Sequence, residues 1–263
     1  MDRRTFLLAL GATTAGSLTH ASPVLAAPKP VIEQGFCLVI DPGHGGENHG
    51  CAAHGHQDLR EKTLTLVMAK QLAARVVELM PHAQVLLTRE RDETLHLSQR
   101  VRFANEVGAD LFMSLHCNAS VRGDQTGFET FLLDAKASSE QAALTAAREN
   151  DEGYAAPRED EDDVGAMLRA LGMANNRTRA ALYATAIQAE QAKRFPKRVD
   201  RGVRQANFDV LMGARMPAVL HELGFLDHPE DSQLMLTDAG QAELVESLAQ
   251  ATLGYYSDVV RRG

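Results

Sequence analysis

The sequence predicts an α/β fold in which one sheet carries helices on both faces. Two observations lead there. Short apolar runs that stop at turn residues alternate with longer stretches whose apolar residues recur at helical spacing, the pattern of strand–helix–strand units. The chain of 263 residues is 44% hydrophobic and 24% charged, enough for a sizeable core. No internal repeat and no second hydrophobic unit is visible, so one domain over residues 36–260 is expected.

Residues 1–26 read as a twin-arginine export signal. Arg3-Arg4 precede Phe6-Leu7-Leu8 and a weakly apolar stretch that ends in Val24-Leu25-Ala26-Ala27, which supplies a charged start, an apolar middle and a small-residue cleavage site. An ordinary N-terminal helix is the plainer alternative. A Leu-x-Gly-Cys lipobox is absent, so no lipid anchor is expected. Residues 27–35 form a short linker. Gly35 to Ile40 is a buried strand stopped by Asp41-Pro42-Gly43. Leu64, Val67, Met68, Leu72, Val76 and Leu79 mark an amphipathic helix over Leu59–Met80, followed by Pro81. A strand at Val85–Thr88, a helix at Leu97–Val107 and strands at Leu111–Leu115 and Phe128–Leu133 follow. Residues 134–198 read as a polar, helical insertion. Its acidic run, Arg158-Glu159-Asp160-Glu161-Asp162-Asp163, has the composition of a solvated loop. Strand-like runs return at Phe208–Met212 and Ala218–His221, and a closing helix covers Ala239–Val260.

Charge and cysteine content narrow the function. With 27 Lys+Arg against 35 Asp+Glu the net charge is −8, which argues against a partner bound through its phosphate backbone, so no nucleic acid is expected. No apolar stretch beyond the signal is long enough to span a bilayer. Cys37, Cys51 and Cys117 allow at most one disulfide and no paired-cysteine zinc site. A monomer is expected.

Four polar residues stand where open α/β sheets hold their ligands, at strand ends or a helix start: His44, Glu61, His116 and Glu222. His44 sits among Gly43, Gly45 and Gly46, which let backbone approach without side chains in the way. No Walker lysine and no Gly-x-Gly-x-x-Gly accompanies these glycines, so a phosphate loop is not supported. His116 alone at the end of an apolar strand would read as a structural histidine. Together, two histidines and a carboxylate make a common catalytic zinc shell that leaves one position open.

Four stretches then carry a family resemblance: Val39-Ile40-Asp41-Pro42-Gly43-His44-Gly45-Gly46, Arg60-Glu61-Lys62, Ala109 to Ala119, and Pro217 to Leu226. In this order they resemble the zinc-dependent N-acetylmuramoyl-L-alanine amidases of the amidase-3 family. The resemblance implies a three-layer α/β/α sandwich with a mostly parallel, mixed central sheet, zinc held by His44, Glu61 and His116, and Glu222 as the catalytic carboxylate. It also implies the substrate, peptidoglycan, cleaved between the lactyl group of N-acetylmuramic acid and L-alanine. Two positions depart from the family: Cys117 follows the ligand histidine where a small residue is usual, and His221 precedes Glu222 where an apolar one is usual. Within the insertion, Ala137 to Asn150 resembles the helix that lies across the active site of division-associated members, with Glu149 filling the open zinc position until a LytM-domain activator displaces it. A periplasmic, autoinhibited enzyme of daughter-cell separation is expected on that basis. The alternatives are a zinc carboxypeptidase of the stem peptide, using the same shell on another bond, and a non-catalytic peptidoglycan-binding regulator.

Overall fold

The computed structural model describes residues 35–120, 122–150 and 163–260. The expected export signal, nearly all of the expected linker and the acidic run up to Asp162 lie outside the described residues.

In chain order the elements are β1 (Cys37–Pro42), a small hairpin of β2 (Ala52–Ala53) and β3 (His56–Arg60), α1 (Glu61–Leu79), β4 (Gln84–Leu87), α2 (Leu97–Val107), β5 (Leu111–Asn118), β6 (Phe128–Leu133), α3 (Glu140–Glu149), α4 (Asp163–Arg194), β7 (Asp200–Ala206), β8 (Ala218–Phe225), α5 (Pro229–Leu236) and α6 (Asp238–Tyr255). Six strands form the main sheet in the order β4-β1-β5-β8-β6-β7. The first four are parallel, β6 runs antiparallel to β8, and β7 runs parallel to β6. The sheet is thus mixed and mostly parallel, as expected.

Alternation along the strands sorts side chains into two layers. Leu38 and Ile40 of β1, Leu111, Met113 and Leu115 of β5 and Val219 of β8 pack with Leu64, Met68 and Leu72 of α1, Tyr183 and Ile187 of α4, and Leu244 and Leu248 of α6. Val39, Phe112, Phe131 and Leu220 point the other way, onto Leu97 and Ala104 of α2 and Ala142 and Ala146 of α3. Each fully buried leucine of this kind contributes about 1.5–3 kcal/mol. Helices therefore cover both faces. None of them, among the described residues, is long and apolar enough to cross a membrane.

The structure departs from the sequence reading at several points. Phe208–Met212 is not a strand: Asp209–Leu211 form a single 3-10 turn, with Leu211 N–H donating to Phe208 O and Met212 N–H to Asp209 O. Its apolar residues bury against the core without a ladder, because β7 already holds the sheet edge. β7 itself, Asp200-Arg201-Gly202-Val203-Arg204-Gln205-Ala206, is a charged edge strand whose polar composition hides it from a hydrophobicity pattern. Finally, the region 134–198 is more than an insertion, since α4 packs as a core helix through Tyr183, Ala184 and Ile187. The first strand extends two residues further than expected, through Asp41 and Pro42, and all three cysteines are free thiols.

Candidate metal centre

The C-terminal ends of β1, β5 and β8 lie side by side, and the site is built there. His44 follows β1 in a left-handed backbone conformation, φ 62°, that L side chains seldom adopt. Two buried arginines hold it. Arg100 of α2 pairs with Asp41 (2.9 Å) and donates to the carbonyls of Pro42 (2.9 Å) and His44 (2.8 Å). Arg89 donates to Pro42 O (2.9 Å), Gly43 O (2.8 Å) and Lys62 O (2.8 Å), tying the loop to the start of α1. Burial, and the Arg100 charge beside it, bring Arg89 down to about 10, so it remains a cation at neutral pH. Burial opposes ionisation of Asp41, yet Arg100, Thr88 and Ser114 outweigh it and keep this carboxyl below its ordinary range.

The loop fixes the imidazole as well. Asn48 Oδ1 accepts from Gly50 N–H (3.1 Å), which identifies it as the oxygen, and lies 2.9 Å from His44 Nδ1. Nδ1 is therefore the protonated nitrogen toward Asn48, and Nε2 faces the site. His116, near the end of β5, presents Nδ1. Glu61, the first residue of α1, is buried to 1% and receives N–H groups from Cys117 (2.7 Å, Oε1) and Cys51 (3.0 Å, Oε2). Glu61 Oε1 lies 3.0 Å from His44 Nε2 and 3.3 Å from His116 Nδ1. Glu149 Oε2, reaching in from α3, lies 3.3 Å and 2.9 Å from the same two nitrogens.

One ligand atom from each of His44, Glu61, His116 and Glu149 falls within 4.8 Å of the others. His44 Nε2, His116 Nδ1 and Glu149 Oε2 are all buried and face one another across the cluster. Four buried ligand atoms converging on one point, two nitrogens and two oxygens, fit a divalent metal of the zinc type. Against burial, Glu61 and Glu149 raise the His44 pKa well above its ordinary value, and Glu149 with Glu61 raises that of His116 to about 9. Both carboxylates are in turn held low by the imidazoles despite burial. A cation at this point would replace those protons, so its binding releases them.

Glu222 stands beside this cluster. It pairs in register with His116 of β5 on one side and with Glu129 of β6 on the other. Its carboxylate is fully buried, and neither oxygen is hydrogen-bonded. Arg148 Nη2 comes within 3.6 Å. Burial and the charge of Glu149 push the Glu222 pKa well above the carboxylate range. A carboxyl group so poised suits proton transfer.

The two positions that depart from the family point away from this chemistry. His221 lies on the opposite face of β8, where it meets Thr130 Oγ1 (2.9 Å) and Gln191 Nε2 (2.7 Å), and burial with the Arg198 charge pushes it down to about 3. The Cys117 side chain belongs to the core on that same face. Glycines make room on the site face. A Cβ on Gly43 would lie 2.3 Å from His116 Nε2, and one on Gly50, at φ +63°, 2.6 Å from Glu61 Oε2.

Helix α3 closes the site. Ser139 caps its N-terminus, accepting from Ala142 N–H (3.1 Å). Asn150, just past its end, donates to Asn207 O (2.7 Å) and accepts from Asp209 N–H (2.9 Å). Ser138 N–H donates to Gln205 O (2.8 Å), and Gln205 N–H returns a bond to Ser138 Oγ (3.2 Å). Both ends of α3 are thereby pinned to residues 205–209. The structure thus brings together His44, Glu61, His116, Glu222 and Glu149, which the sequence singled out. Sequence reading missed Asn48, Arg89, Arg100, Arg148 and Glu129. Of these, Arg100 left a trace: it is a charge inside the apolar stripe of Leu97, Val101 and Ala104.

Comparison with known proteins agrees with this geometry. Residues 38–253 match the family Amidase_3, described as N-acetylmuramoyl-L-alanine amidase. The chain is 32% identical over 213 residues to the N-acetylmuramoyl-L-alanine amidase CwlM of Bacillus licheniformis, a match that covers 81% of this chain and 64% of that protein. It is 30% identical over 222 residues to AmiA of Escherichia coli, covering 83% of this chain and 75% of the relative. The crystal structure of an N-acetylmuramoyl-L-alanine amidase from Clostridium difficile 630 superposes with a TM-score of 0.63 at 27% identity, over 86% of this chain and 98% of that one. The chain belongs to the Amidase_3 family of N-acetylmuramoyl-L-alanine amidases.

Proposed function

We propose that this protein is a zinc-dependent peptidoglycan amidase that cleaves the bond between the lactyl group of N-acetylmuramic acid and L-alanine of the stem peptide. The observation that carries this reading is the convergence of four buried ligand atoms within 4.8 Å beside the buried carboxylate of Glu222, whose oxygens take no hydrogen bond. His44 through Nε2, His116 through Nδ1 and Glu61 would hold the ion. Zinc, when bound, supplies Lewis-acid chemistry that makes water a nucleophile at neutral pH. Glu222 takes the proton from the attacking water and returns it to the leaving amine of L-alanine. Asn48 keeps His44 in the tautomer that presents Nε2. Mass spectrometry of muropeptides after incubation with the protein and zinc tests the reading: free stem peptides beginning with L-alanine are expected, and release of terminal amino acids alone would favour the carboxypeptidase.

In the resting protein, Glu149 competes for the position that water needs, and Arg148 lies against Glu222. The enzyme is therefore autoinhibited, and a LytM-domain activator relieves it by drawing α3 away. Export in folded form through the twin-arginine signal at residues 1–26 brings it to the periplasm, where it acts in daughter-cell separation. Replacing both Arg3 and Arg4 with lysine should hold the precursor in the cytoplasm.

A further inference from the structure

Arg148 occupies ground that a substrate must cover. It donates to Ala119 O (2.7 Å) and to Asn118 Oδ1 (3.2 Å), two acceptors at the end of the strand that carries His116 and just past it. When α3 withdraws, Arg148 goes with it. Ala119 O then loses its donor, while Asn118 Oδ1 keeps Ala119 N–H (2.9 Å) and has a lone pair for a second; peptide N–H groups are the donors a stem peptide brings.

From Asn118 the contacts continue away from the metal centre. Its Nδ2 donates to Glu129 Oε1 (2.6 Å), and Glu129 Oε2 faces Arg201 Nε at 3.2 Å and Arg204 Nε at 3.7 Å. One buried carboxylate thus faces two guanidiniums, leaving a positive charge in excess. Arg204 pairs across the sheet with Phe131, whose side chain lies in the layer under α3, so it stands on the face that α3 covers. Its side chain is 34% exposed, and among the described residues no acceptor engages its Nη atoms. Gln125, which accepts from Arg201 Nη2 (2.9 Å), lines a cleft of about 470 Å³ that Ser120 and Asp124 share with Thr145 and Arg148 of α3. Thr145 Oγ1, buried and without a partner, borders the same cleft.

We propose that the β6–β7 side of the sheet is the stem-peptide subsite. Ala119 O and Asn118 Oδ1 accept the peptide's N–H groups, and Arg204 pairs with a free carboxylate on the residue that follows L-alanine. The glycan then leaves on the β1–β4 side, and Arg148 in the resting helix imitates the peptide's donors. The inference rests on the amidase reading and adds its substrate orientation.

The test uses the full chain carrying Glu149→Ala and two soluble muramoyl-peptides that differ only in a carboxylate or a carboxamide on the residue after L-alanine. The carboxylate form should have a KM about tenfold lower at equal kcat. Arg204→Gln should abolish that preference by raising the KM of the carboxylate form, and Arg204→Lys should restore part of it. A preference that survives Arg204→Gln overturns the proposal. Calorimetric affinities on the same chain with Glu222→Gln give a readout free of turnover: a carboxylate–carboxamide difference that vanishes with Arg204→Gln supports the subsite, and equal affinities in the parent overturn it. Cleavage of neither substrate, with that affinity difference intact, would count against the amidase reading and leave the subsite standing.

Discussion

Asn150 offers the sharpest test of α3 as a plug, because it touches neither the metal centre nor Glu222. Its side chain makes two bonds, to Asn207 O at 2.7 Å and from Asp209 N–H at 2.9 Å. Asn150→Ala removes both while the helix keeps Glu149, Arg148 and its apolar face of Ala142 and Ala146. A net hydrogen bond contributes about 0.5–1.5 kcal/mol. Asn150 is partly exposed, so the lower half of that range applies to each bond, and together they amount to about 1–2 kcal/mol. That loss shifts the closed-to-open ratio by about 5- to 30-fold. While the closed form dominates, the rate without activator follows the open fraction, so basal hydrolysis should rise by the same factor. Dye release from labelled peptidoglycan, with zinc content measured alongside, reads the effect. Glu149→Ala, which removes the competing carboxylate itself, should be faster than the parent by at least as much. If Glu149→Ala is faster and Asn150→Ala is not, the latch at Asn207 and Asp209 does not hold the helix. If neither is faster, α3 is not a plug.

Other expectations concern the centre and the far face of β8. His44→Ala or His116→Ala should lose stoichiometric zinc together with activity; elemental analysis finding one zinc per chain in either variant would remove that residue from the ligand set. Glu222→Gln should keep zinc and the fold but drop kcat by about 10²–10⁴-fold, the contribution of a positioned proton-transfer group, and near-normal turnover would exclude it. His221 is held neutral by the fold at about 3 against an ordinary 6.5, so the unfolded chain binds a proton there that the folded one refuses. Its stabilising contribution is complete above 6.5 and fades as pH falls toward 3. Denaturant titrations across that window should show the parent losing more stability than His221→Asn, and parallel curves would contradict the assignment.

The fold and the heart of the site were legible because their signals are local. The helix α1 announces itself by apolar spacing, and His44, Glu61, His116 and Glu222 stand in recognisable motifs at the ends of buried strands. What stayed hidden depends on partners distant in the chain. β7 is an edge strand with Asp200, Arg201 and Arg204 in seven residues, and nothing in that composition distinguishes it from a loop. The turn at Asp209–Leu211 and the strand expected there bury the same apolar residues, so hydrophobicity does not separate them. Arg89 and Arg100 act on carbonyls of residues 42–44 from 45 or more positions away, and a carbonyl leaves no mark in a sequence. His221 and Glu222 are neighbours in the chain but lie on opposite faces of the sheet, a separation visible only once the pleat is known.

Gly43 makes the catalytic centre vulnerable to the smallest change a protein can undergo. The His116 ring rests against the bare Cα, and an added methyl carbon would overlap it at 2.3 Å. Neither charge nor polarity is altered by such a change, and no ligand is deleted. Even so, the ring must swing off its bearing or the β1 loop must lift, and Arg89 and Arg100 grip that loop from the other side. The conflict has no soft partner to absorb it. Drift at this position is therefore closed in every direction, and the centre depends on an empty space as strictly as on the imidazole that fills it.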